Sequence, residues 1–135
     1  MTNASMLQQD NRLKKVRDFN LLMKYGRWVN GRFLDLKCLE LAKIREYFPK
    51  KEDSKVFEGQ FKVAFTVGLK IDKRAVIRNR ARRQMREVVR LLLKEKKLKN
   101  GYYLLFVAKK EILGKEYIDI TKEVEVLLKK SGVVG

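Results

Sequence analysis

Histidine is missing altogether, and cysteine, proline and tryptophan occur once each, in a chain of 135 residues. Without histidine, imidazole acid–base catalysis and histidine metal ligation are both excluded. The single Cys38 rules out an internal disulfide framework and fits the reducing cytoplasm. No apolar run approaches the ~20 residues needed to cross a bilayer, and the first residues lack a secretory signal's apolar core. A long lysine-rich helix with bulky aromatics on its opposite face is missing too, so no membrane partner is expected. Negative charge is also scarce. Sixteen Asp and Glu face 33 Lys and Arg, a formal net charge of +17. A surplus that large repels itself in a compact chain, and a polyanionic partner is the natural reason to keep it.

Apolar residues make up 45% of the chain, which argues against wholesale disorder, and the length suits one domain with one core. Residues 1–11 are polar and aperiodic and read as a flexible lead-in to a domain spanning 12–132. The stretch RLKKVRDFNLLMKYG reads as a helix stopped by Gly26. From Trp28 to Leu41 the pattern becomes that of a strand, with Leu34, Leu36 and Cys38 on one face and Phe33, Asp35 and Lys37 on the other. A break near Lys37–Glu40 would make it two strands. Residues 47–60 read as a loop. In FKVAFTVGL, residues Phe61, Val63, Phe65, Val67 and Leu69 form a core face. Lys62, Ala64, Thr66 and Gly68 form a face so free of bulk that another molecule can approach its backbone, unless it is an ordinary solvent-facing side. A long helix is predicted over 75–97 and a buried strand over Tyr102–Ala108. A last amphipathic helix is traced by Tyr117, Ile120, Val124 and Leu127/Leu128. Strands and helices mixed in this order suggest a sheet with helices packed on one side.

The long helix carries the clearest signal. With Arg78 set to zero on a helical wheel, Arg82, Arg86, Asn79, Arg90 and Arg83 fall within roughly 0–140°, and Ile77, Ala81, Met85, Val88 and Leu92 within roughly 260–340°. Arg80 stands apart, and Val89 and Leu93 intrude on the basic side. One stripe is thus built to pack and its neighbour to present guanidinium groups, whose planar forks bind phosphate bidentately and stack on bases. A merely solvated face would mix both signs of charge, and this helix holds few acids.

The run Arg74-Ala-Val-Ile-Arg-Asn-Arg-Ala-Arg-Arg-Gln-Met-Arg86 resembles the signature of the bacterial ribonuclease P protein family, in which an Arg-Asn-Arg triplet opens a basic helix. The preceding FKVAFTVGLK, the early RLKKVRDF and the later FVAKK match in the same order, so the likeness runs from about Arg12 to Gly132. It implies an α+β fold: a two-layer α/β sandwich with a four-stranded, mostly antiparallel sheet and a left-handed crossover around the basic helix. It also implies a protein without an active site, whose partners are the ribonuclease P catalytic RNA and precursor tRNA. The ribonucleoprotein removes the 5′ leader in the cytoplasm, with Mg2+ used by the RNA and no cofactor in the protein. No obligate protein partner is implied. On that reading Lys73, Arg74, Arg78, Asn79, Arg80, Arg82, Arg83, Arg86 and Arg90 contact the catalytic RNA. Phe19, Met23, Phe33, Lys37, Lys62 and Thr66 line a cleft for the single-stranded leader.

Departures from the family pattern fall mostly in that cleft. Met23 stands for a second aromatic, Lys37 for a common aromatic, and Asp35 for a small apolar residue. Gly68 replaces a serine, Lys109 an arginine, and the turn Ile71–Arg74 is about one residue longer. Asp35 opposes a phosphate-binding role unless a lysine or metal neutralises it. Phe33 offers either a substitute stacking surface or packing beneath the nearby loop. Two other readings remain: a structural, ribosomal-type RNA-binding protein, and a DNA-binding protein laying the arginine helix in the major groove. The small-residue sheet face disfavours the second, because a helix reader does not need one.

Overall fold

In the computed structural model, which describes residues 7–134, the architecture grows from the most apolar strand. Tyr102–Ala108 is buried along almost all its length because it lies inside the sheet with a strand on each side. The sheet comprises β1 (Arg27–Asn30), β2 (Leu34–Glu40), β3 (Phe61–Thr66) and β4 (Tyr102–Ala108), in the order β1-β2-β4-β3. Pairing is antiparallel for β1–β2 and β2–β4, as at Leu36 opposite Phe106, and parallel for β3–β4, as at Phe65 opposite Phe106. A parallel pair needs a crossover, and α3 (Ala75–Lys94) supplies it. The remaining helices are α1 (Val16–Tyr25), α2 (Ser54–Glu58) and α4 (Tyr117–Ser131).

Both faces of the sheet are clothed, which corrects the expectation of helices on one side. On one face Leu36, Cys38, Val63, Leu104 and Phe106 pack against Met85, Val88 and Val89 of α3 and Val124, Leu127 and Leu128 of α4. On the other, Leu39, Tyr103 and Leu105 form an apolar patch that also needs cover. It comes from Leu22 of α1, Phe57 of α2, and Leu41 and Ile44 of the 3-10 turns at Leu41–Tyr47. Residues 47–60 are therefore less of a loop than expected. The α2 turn is capped by the Asp53 carboxylate, which accepts from the Lys55 backbone N–H at 2.8 Å.

Other differences have local causes. The first helix begins at Val16 rather than Arg12, because the chain before it is drawn alongside the free edge of β3. There the Leu13 N–H donates to the Val63 carbonyl and Asn11 Nδ2 to the Phe61 carbonyl. Leu7 is buried too and Asn11 is tied to the strand edge, while Gln8, Gln9 and Asp10 between them stay exposed; residues 1–6 of the expected lead-in lie outside the described residues. Gly26 does end α1, and it has to be small: a Cβ there would meet the Leu22 carbonyl oxygen at 2.5 Å. The first two strands part at Gly31–Phe33, not near Lys37–Glu40. β3 ends at Thr66, so Leu69 leaves the core face and is exposed. Tyr117 likewise sits at the start of α4 and is partly exposed. The long helix stops at Lys94, and the chain turns through Lys96 at φ 57°.

Candidate nucleic-acid interface

Six arginines and a single acid lie within α3, and burial sorts them. Ala81, Met85, Val88 and Val89 are buried against the sheet, so Val89 belongs to the packing stripe and not to the basic one. Asn79, Arg80 and Arg83 are exposed, while Arg78, Arg82 and Arg86 run half-buried along the margin. The turn before the helix is clasped by Asp72. Its carboxylate accepts from the Arg74 backbone N–H at 2.8 Å and from Arg74 Nε and Nη2 at 3.0 and 2.9 Å. Those bonds hold the Asp72 carboxyl down at about 2. Arg78 folds back to donate to the Asp72 and Lys73 carbonyls, and Arg82 donates to the Asn79 amide oxygen. Lys73 stands exposed on the same turn.

Arg86 is the most crowded of the set. Its Nε is buried and has no hydrogen-bond partner among the described residues. Burial and the positive charges of Arg12, Arg83 and Arg82 hold its pKa below the ordinary value, and Glu87 offsets this least. Glu87 instead takes Arg90, through contacts of 3.0 and 2.6 Å. Arg90, expected among the RNA contacts, therefore enters already neutralised. An unmet donor in a field of neighbouring arginine charges forms a place where an anion removes repulsion and supplies an acceptor at once. Arg12 was missing from the expected set, because its run reads as the start of a helix. Only its parallel bridge to Val63 turns it toward α3.

The sheet face beside α1 holds the second group. Phe19 is half-buried against the apolar patch under α1, Met23 is exposed on that helix, and Thr66 is exposed at the end of β3. Of three other expected members one lies elsewhere and two are on the expected face with their ammonium groups already engaged. Phe33 lies in the turn before β2, not in the strand, so the alternation does not govern it. It is buried on the α3–α4 side, and its N–H donates to Glu123 Oε2 at 2.6 Å. Lys62 is on the expected face, but its ammonium sits 3.3 Å from Oδ2 of Asp18, which is fully buried. Lys37 is also on that face and only 8% exposed, with its Nζ 5.0 Å from the ring centroid of Trp28. Asp35, the carboxylate that counted against a phosphate site, is paired with Lys109 at 3.1 Å. The lysine ammonium also donates to the Gly31 carbonyl. Phosphate repulsion on this surface is thereby reduced.

Among the described residues no helix is long and apolar enough to cross a membrane, and no three or more His, Cys, Asp or Glu side chains gather as for a metal ion. Comparison with known proteins agrees with the resemblance. A family model described as Ribonuclease P matches residues 7–132. The chain is 33% identical over 129 residues to the "Ribonuclease P protein component" of a Synechococcus species, covering 96% of this chain and 87% of that protein. It is 31% identical over 122 residues to the protein of the same name from Clostridium kluyveri, covering 90% and 95%. In three dimensions it is similar to the RNase P protein of Staphylococcus aureus, with a TM-score of 0.70 at 21% identity over 93% of this chain and 98% of that one. For the Thermotoga maritima protein the TM-score is 0.67 at 18% identity, covering 88% and 96%.

Proposed function

Because the chain belongs to the ribonuclease P protein family, we propose that it is the subunit that binds the enzyme's catalytic RNA and steadies the 5′ leader of precursor tRNA. The observation that carries the reading is Arg86. A buried guanidinium donor without an acceptor among the described residues, flanked by Arg12, Arg82 and Arg83, suits an RNA phosphate. The α3 stripe from Arg78 to Arg86, with Lys73 and Arg74 on the turn before it, grips the catalytic RNA. Chemistry and magnesium belong to that RNA, so the protein's work is positioning and charge neutralisation in the cytoplasm.

The leader lies on the sheet face beside α1, in contact with Phe19, Met23 and Thr66. Neither Phe33 nor the Asp18-bound Lys62 belongs to this group. Base–aromatic stacking at Phe19 is worth about 1–3 kcal/mol and tolerates most sequences, which suits leaders that differ between tRNA genes.

The test is precursor-tRNA cleavage by the cognate catalytic RNA at low magnesium, with and without the protein. Stimulation by the protein, and no cleavage by the protein alone, are expected. Phe19→Ala should weaken binding of precursor tRNA and spare mature tRNA, whereas equal losses on both would make Phe19 a core residue only. Magnesium-dependent cleavage by the RNA-free protein, abolished by changing one carboxylate, would overturn the division of labour.

A further inference from the structure

The outer surface of the helical layer carries an apolar groove that no arginine of the α3 stripe lines. It runs between α3 and α4, holds about 660 Å3, and is walled by Leu91, Leu92, Tyr117, Val126 and Val134. Leu91, Tyr117 and Val126 stay exposed, Val126 at 48%. Apolar side chains gathered in this way mark a contact surface.

The rim is unlike the rest of the chain. Lys97, Lys122 and Lys129 are interspersed with Glu95 and Glu125, and Glu95 is already held by Lys97 at 2.9 Å. From Glu111 to Glu125 five acids face two lysines, a local −3 in a chain of +17. A phosphate backbone finds little positive field here, so RNA is not the occupant. A second copy of this chain is repelled wherever lysine and arginine dominate the surface. At this groove that repulsion is lowest and apolar side chains are open, so two copies can meet.

The exposed side of α4 is also self-complementary. Lys122 and Glu125 lie three residues apart on it, with Val126 beside them. With two α4 helices antiparallel about a two-fold axis, Lys122 of each copy would meet Glu125 of the other, and the Val126 side chains would close over the groove. On α3, Leu91 falls roughly 180° around the helix from Arg82, so both arginine stripes stay turned outward for RNA.

We propose that the α3–α4 groove is the two-fold contact through which this chain pairs with a second copy of itself. The proposal goes beyond the RNA-binding reading and uses none of its residues. The fifteen-residue α4 is about 22 Å long, which supplies area at the low end of stable interfaces. The dimer is therefore weak and forms at micromolar concentration.

The test is sedimentation of the full-length protein over about 1–100 μM at low and high salt. The mass should double across that range. Salt should strengthen pairing, because it screens the net repulsion and leaves the apolar contact intact. RNA binding has the opposite salt dependence, which tells the two apart. Val126→Glu should stay monomeric, with its fold and its affinity for the cognate catalytic RNA kept. Glu125→Lys should weaken pairing about tenfold, and adding Lys122→Glu should restore it, because the exchanged charges match again across the axis. A monomer at every concentration and both salts would overturn the proposal and leave the groove to a different protein. Pairing that Val126→Glu does not disturb would place the contact elsewhere and overturn it. Pairing that salt dissolves would overturn it too, by showing acids of one copy seated on arginines of the other.

Discussion

On the α3–α4 side of the sheet the side chains are apolar from Leu34 to Phe106, whereas the α1 side carries Asp18, Lys62, Lys37, Asp35 and Lys109 among its aromatics. Each of those charges has a partner: Asp18 with Lys62 and Arg17, Asp35 with Lys109, and Lys37 with the Trp28 ring. Working surface can be kept only where the sheet's cover is incomplete. A face sealed by two long helices has none to offer. A face covered only in part, by the ten-residue α1, the short α2 and the turns at Leu41–Tyr47, leaves room, and its charges must be satisfied internally wherever α1 closes over them.

The comparison breaks first at the sealed face. Leu104→Ala removes a fully buried side chain from β4 and should cost about 3–5 kcal/mol in denaturant unfolding. A cost below about 1 kcal/mol would mean that this face repacks freely. On the opposite face, Asp18→Asn deprives Lys62 of its anion. It should cost about 1–3 kcal/mol, the scale for a hydrogen bond to a charged group, with the lysine's residual solvent contact holding it toward the low end. Restoring stability with Lys62→Met in the Asp18→Asn background would show that the pair offsets a burial cost and adds little beyond it.

Cys38 gives the smallest effect and the sharpest sign. It lies in the sealed core, where burial pushes its thiol up to about 11 from an ordinary 9.0. The folded form therefore holds its proton where the unfolded form has lost it. The associated stability is present below about pH 9 and is lost as pH rises toward 11. At pH 8, alkylation of Cys38 should proceed only at the rate of unfolding. Rapid labelling in native buffer would show that the core is open.

Much of this was legible in the sequence, for physical reasons that also mark where legibility ended. The run Tyr102–Ala108 announced an interior strand, because only a strand covered on both faces is apolar without alternation. The arginine stripe of α3 was visible because a helix exposes a fixed arc and few acids interrupt it. Phe33 was misplaced because period-two reading assumes an unbroken strand, and the turn at Gly31–Phe33 resets the phase. Lys62 read as a free cation because its partner Asp18 is 44 residues away and looks like an ordinary first-turn acid of α1. Arg12 and Trp28 owe their settings to pairing with Val63 and Lys37, and pairing register is not written in composition.

In the proposed function the α3 stripe is the grip on the catalytic RNA. Its direct test is the affinity of the full-length protein for its cognate ribonuclease P RNA at fixed salt, compared with that of Arg78→Ala and Arg82→Ala. Both residues lie off the buried stripe of α3, so circular dichroism and melting should change little. Each substitution should weaken binding by about 1–3 kcal/mol and flatten its salt dependence. Unchanged affinity in both variants, with the fold intact, would contradict the account and move the RNA to another surface.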